Sequence, residues 1–109
     1  MTYEEINTMI ESIGVEFAYY QFPEGTAVAP PFICFYYPER DDFFADNINY
    51  AKVERLIIEL YTKEKEFTLE DSIEAKLKEN EIPFIRYESY IDTEQLIMNT
   101  FESEVFINE

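Results

Sequence analysis

Tyr50-Ala51-Lys52-Val53-Glu54-Arg55-Leu56-Ile57-Ile58-Glu59-Leu60-Tyr61-Thr62 decides how this chain folds. Leu56, Ile58 and Leu60 fall on one parity, while Arg55, Ile57, Glu59 and Tyr61 fall on the other. A period of two is the spacing of a strand, with one face bound to a core and the other semi-polar. A helix competes over 50–61, but the β-branched pair Ile57-Ile58 and the aromatic Tyr61 favour the strand.

Toward the N-terminus, Pro38 to about Ile48 reads as the main irregular segment. It holds Glu39, Arg40, Asp41, Asp42, Asp46 and Asn47, together with Phe43 and Phe44. Before it, Phe32-Ile33-Cys34-Phe35-Tyr36-Tyr37 is apolar or aromatic on both faces, which predicts a central strand covered on both sides. Pro30-Pro31 stiffens its approach. Phe17–Phe22 is a short aromatic strand, followed by a turn at Pro23-Glu24-Gly25-Thr26 with Gly25 free to take positive φ. Residues 2–13 read as a helix. Thr2 and Glu5 make a capping box, Ile6, Met9, Ile10 and Ile13 form an apolar stripe, and Gly14 follows as a left-handed cap.

Toward the C-terminus, Thr68–Asn80 is the second expected helix. Thr68 is its N-cap, Leu69, Ile73 and Leu77 its narrow apolar face, and Asn80 its C-cap, with Pro83 blocking continuation. Phe84–Ile91 and Gln95–Ile107 are two further strands, and Ile97, Phe101, Val105 and Ile107 of the last share a face. The expected fold is a single α+β domain over residues 1–109, in the order α-β-β-β-α-β-β. It has a mostly antiparallel four- to five-stranded sheet, with two helices packed on one face. Two narrow stripes cover only one side of such a sheet. The other side, carrying Ile57, Tyr61 and several aromatic residues, is then apolar enough to call for a partner subunit.

Composition bounds the chemistry. The chain is 47% hydrophobic and 17% aromatic, too apolar for a disordered acidic tail despite a net charge of −16. That charge repels phosphate and anionic membrane surfaces, and leaves basic protein surfaces and cations as partners. It also keeps an aromatic-rich protein soluble, and either role accounts for it. The absence of histidine removes Ser-His and Cys-His machinery. A single cysteine, Cys34, excludes an internal disulfide and a cysteine-rich zinc site, and its apolar neighbours make it a structural thiol. Two glycines cannot form a phosphate loop or a dinucleotide fingerprint. The acidic 38–48 segment lacks the Asp-x-Asp-x-Asp-Gly pattern of a calcium loop, and no feature selects a catalytic pair of acids. Neither an enzyme nor a metal or other cofactor is therefore expected. The first residues lack the basic region of a signal peptide, and no apolar run approaches the length of a membrane span, so folding in a cytoplasm is expected.

Phe43-Phe44 stands out, because adjacent phenylalanines in an acidic loop either fold back onto their own core or anchor a neighbouring subunit. The candidate subunit contacts are Phe43, Phe44, Asp46, Asn47, Arg55, Ile57 and Tyr61.

Five segments carry a resemblance: Pro31-Phe32-Ile33-Cys34-Phe35-Tyr36; Leu56-Ile57-Ile58-Glu59-Leu60-Tyr61-Thr62; Thr68-Leu69-Glu70-Asp71-Ser72-Ile73-Glu74-Ala75; Tyr87-Glu88-Ser89-Tyr90; and Phe101-Glu102-Ser103-Glu104-Val105-Phe106-Ile107. In these patterns, and in size and element order over nearly the whole chain, it resembles the tail-terminator (tail-completion or neck) proteins of long-tailed bacteriophages. The low glycine content and the charged 38–49 loop depart from that pattern. The resemblance implies a structural protein of the head–tail junction, made in the host bacterial cytoplasm and carried in the virion. It implies a homo-oligomeric ring, usually of six copies, that ends the tail tube and docks to the head connector. Tail-tube and connector proteins would be its partners, and DNA would only pass through the lumen. A different class fits the charge as well: an acidic DNA mimic that blocks a basic nucleic-acid enzyme.

Overall fold

The computed structural model describes all 109 residues. Its elements run α1 (Tyr3–Glu11), β1 (Glu16–Tyr19), β2 (Phe32–Tyr36), β3 (Phe43–Ala45), β4 (Ile48–Thr62), α2 (Phe67–Glu79), β5 (Phe84–Ile91) and β6 (Leu96–Ile107). The fold is α+β. Its sheet has six strands in the order β1-β2-β4-β6-β5, with β3 pairing β4 off that path. Every pairing is antiparallel except β1 with β2. The sheet therefore holds more strands than the expected four to five. The addition is β3, inside the segment expected to be irregular. β1 can run parallel to β2 because the chain from Tyr20 to Pro31 is long enough for a crossover, which a tight hairpin is not.

β4 is the spine. Its 15 residues span roughly 50 Å at about 3.3 Å per residue, close to the molecule's 49 Å long axis. Its register with β6 is unbroken from Lys52↔Ile107 to Thr62↔Ile97. Leu56, Ile58 and Leu60 lie beside Ile33 and Phe35 of β2 and Phe101 and Val105 of β6. Ile6, Met9 and Ile10 of α1 and Ile73 and Leu77 of α2 are buried in the same cluster. Fully burying each such side chain contributes about 1.5–3 kcal/mol.

The helix ends follow local chemistry. The Thr2 hydroxyl accepts from the Glu5 N–H at 3.1 Å, and the Glu5 carboxylate accepts from the Thr2 N–H at 2.8 Å. Those bonds hold the Glu5 carboxyl below its ordinary range. α1 stops at Glu11 with Ser12 as C-cap, and Gly14 takes φ +91° just beyond. α2 begins earlier than expected. Its N-cap position is Glu66, without a side-chain cap bond, and Thr68 lies inside the first turn rather than capping it. At the other end the Asn80 side-chain amide donates to the Lys76 carbonyl at 2.9 Å, the expected C-cap.

The inner face of α2 holds one residue that periodicity did not single out. Glu70 is fully buried, while Leu69 is only half-buried. Positions 70, 73 and 77 share a helix face as well as 69, 73 and 77 do. A buried carboxylate is costly unless paired. Glu70 accepts from Lys65 at 2.6 Å, from Asn99 at 3.1 Å and from Arg86. Arg86 also lies over the Phe101 ring, 5.4 Å from its centroid. The network fastens α2 to β5 and β6.

Candidate functional site

Two regions around β4 hold the candidate contact residues. The first is the tip of the β3–β4 hairpin. Asp46 and Asn47 take φ +50° and +67°, so both central residues of this two-residue turn are left-handed, as the twist of a tight hairpin requires. Asp and Asn tolerate that region better than most residues. The base of the hairpin is held by Asp42, whose side chain is only 5% exposed. Its carboxylate accepts from Arg40 Nε at 2.8 Å, from Arg40 Nη2 at 2.6 Å, from Asn49 Nδ2 at 2.8 Å and from the Val53 N–H at 3.1 Å. The Arg40 bonds foremost, then the Val53 amide and the Asn49 side chain, hold the Asp42 carboxyl well below the usual carboxylate range. On this tethered tip Phe43 is 56%, Phe44 75%, Ile48 62% and Tyr50 75% exposed, with Phe106 of β6 at 60%. The Phe43 and Phe106 rings lie 6.0 Å apart. Neither phenylalanine of the 43–44 pair folds back into the core.

The second region is the other parity of β4 and its neighbours. By register, Tyr61, Glu59, Ile57 and Arg55 lie beside Phe32, Cys34 and Tyr36 of β2 and beside Met98, Thr100, Glu102 and Glu104 of β6. Aromatic pairs form there: Tyr20 stacks on Tyr36 at 4.8 Å and Phe32 on Tyr61 at 4.9 Å. The Glu59 carboxylate accepts from the Tyr61 hydroxyl at 2.9 Å and from the Tyr36 hydroxyl at 3.2 Å. Burial first, then the charge of Glu59 and its hydrogen bond, pushes the Tyr36 phenol up to about 12. Tyr61 is raised by burial and the same carboxylate. Beside these rings runs a groove of about 370 Å³ lined by Tyr20, Phe22, Val28, Phe32, Cys34 and Tyr61, among others. Cys34 is buried, and desolvation pushes its thiol up to about 11, far from a nucleophile's range.

The candidate contacts thus separate into two groups, one on β3 and its turn and one along β4. Phe43, Phe44, Asp46 and Asn47 form the tip. Arg55 and Tyr61 lie along the other face, Arg55 bonded to Glu39 at 2.8 Å and near Glu102 at 3.6 Å. Ile57 is a correction. At 4% exposure it is covered by its own chain and offers no contact area. Sequence reasoning missed Ile48, Tyr50 and Phe106. The available signal was Asp46-Asn47 between two short apolar runs, which is the pattern of a two-residue hairpin.

No three Cys, Asp or Glu side chains are grouped to hold a metal ion. In the acidic segment, Asp42 and Glu39 are each taken up by an arginine. No helix is long and apolar enough to cross a membrane. No protein-family model matches the chain, and no curated protein is significantly similar to it.

Proposed function

We propose that this chain is a non-enzymatic structural subunit that works by gripping other protein subunits through its hairpin tip. Its station would be the phage head–tail junction, where a ring of copies ends the tail tube and meets the head connector. The observation that carries the reading is the tip itself. Phe43 and Phe44 of the hairpin stand in solvent on the same face as Phe106 of β6, with Ile48 and Tyr50 exposed on the opposite face, and the hairpin's base is fixed by the Asp42 bonds. Loose apolar loops are common, but a clustered aromatic surface on a rigid support is what contact hot spots are made of. A closed ring leaves no free end, so tube growth halts where the ring seats.

The test combines sedimentation velocity of the purified protein with electron microscopy of tail tubes mixed with it. The expected result is capped tube ends, and a Phe43→Ser/Phe44→Ser double variant that folds normally but leaves the ends bare. Tubes that remain bare with the unmodified protein overturn the phage assignment. A chain that ignores tubes but is retained on a basic nucleic-acid enzyme at low salt and released at high salt is instead the acidic mimic.

A further inference from the structure

The sheet face away from the helices carries a second interaction surface, of a different chemistry from the tip. By register its acidic positions on the paired strands are Glu16, Glu59, Glu102 and Glu104, and Arg55 is its one base. The other strand bases lie on the helix side, Lys52 over the Tyr3 ring and Arg86 paired with Glu70. Arg55 is already shared between Glu39 and Glu102. The face is therefore left with more carboxylate than cation. A second copy laid upon it would set acid against acid, and phosphate is repelled for the same reason.

At the centre of this face one polar group lacks a partner. Thr100 is 2% exposed and its hydroxyl makes no hydrogen bond, a condition that costs free energy. In register it lies between Glu59 of β4 and Tyr87 of β5, and Glu102 follows two residues along the same face. Glu59 is engaged by the Tyr36 and Tyr61 phenols. Glu102 has no such close partner. Its side chain is 32% exposed and reaches Arg55 only at 3.6 Å, and the Tyr87 hydroxyl lies 3.5 Å away. Beside it opens a cleft of about 290 Å³, lined by Ile85, Glu102 and Glu104 among others.

We propose that this face receives an arginine side chain from a basic segment of a partner protein. The arginine's stem lies in the cleft along Ile85, which is 68% exposed. Its guanidinium donates to the Glu102 carboxylate and to the Thr100 hydroxyl. Residues two apart on one strand face are separated by about 7 Å. A planar fork with donors on two sides bridges that gap at ordinary bond lengths, whereas an ammonium, a single point of charge, does not. The Tyr87 ring is 48% exposed and held only by its long contact to Glu102. It moves aside to uncover Thr100 and stacks on the guanidinium.

Chemical-shift mapping by NMR tests this in the Phe43→Ser/Phe44→Ser background, where the tip takes no part. The probes are a short glycine–serine peptide carrying two arginines and its lysine counterpart. The arginine peptide is expected to shift Tyr87, Thr100 and Glu102, and the lysine peptide to bind more weakly. Glu102→Gln is expected to weaken the arginine peptide about tenfold. Glu11→Gln/Asp71→Asn removes two exposed charges from the helices and is expected to leave binding nearly unchanged. Thr100→Val is expected to weaken binding as well, yet not to lower the unfolding midpoint of the free chain, because it removes an unpaired buried hydroxyl. Four results each overturn the proposal and leave the tip reading untouched. They are equal binding of the lysine peptide, shifts spread evenly over both faces, a loss from the helix variant as large as from Glu102→Gln, and a Thr100→Val chain that binds as the unmodified one does.

Discussion

The two faces of β4 are built from alternate residues of one strand, yet they are closed by different means. Leu56, Ile58 and Leu60 are at most 2% exposed beneath two helices. The other parity has no helix. It is held by stacked rings and by one carboxylate, Glu59, that accepts from two phenols. A face packed by helices gains its stability from volume filling. A face closed by aromatic pairs and phenol–carboxylate bonds keeps polar groups at its surface and stays available to a partner.

The sharpest way to break that contrast is to cut a hole under the helices. Phe101 is fully buried there, and Phe101→Ala is expected to cost about 3–5 kcal/mol in denaturant unfolding. On the uncovered face Glu59→Ala strips both phenols of their shared acceptor, and a loss of about 1–3 kcal/mol is expected. Equal losses for the two variants would erase the distinction between the faces. The smallest effect is a pH dependence. The Tyr36 phenol is raised to about 12 from an ordinary 10.0, so the folded chain holds that proton more tightly than the unfolded one. Its contribution is whole below about pH 10 and is lost as pH rises toward about 12. Tyr36→Phe is expected to shrink the decline in stability over that interval, measured beside the ultraviolet absorbance of the phenolates.

The core was legible in the chain because its rules are local. The alternation in β4 gave its direction, and Thr2 with Glu5 gave the start of α1. What could not be read depended on neighbours distant in sequence. The β3 hairpin is the local exception: its strand has three residues and its turn no glycine, so Asp46-Asn47 was its one signal. The parallel pairing of β1 left no mark, since a long connection fits either direction. Glu70 occupies an apolar helix face because Arg86, Lys65 and Asn99 arrive from elsewhere to pair with it. Ile57 shows the same limit at the candidate interface. Alternation says which way a side chain points, but cross-strand neighbours such as Tyr36 and Glu102 govern whether it meets solvent.

The continuous ladder between β4 and β6 also has a mechanical consequence. A pull on the hairpin tip runs along β4, at right angles to the hydrogen bonds that join it to β6. Its load falls in shear on the whole run from Lys52↔Ile107 to Thr62↔Ile97, so the rungs share it instead of parting one after another. A subunit held by its tip is thereby anchored through the middle of its own sheet.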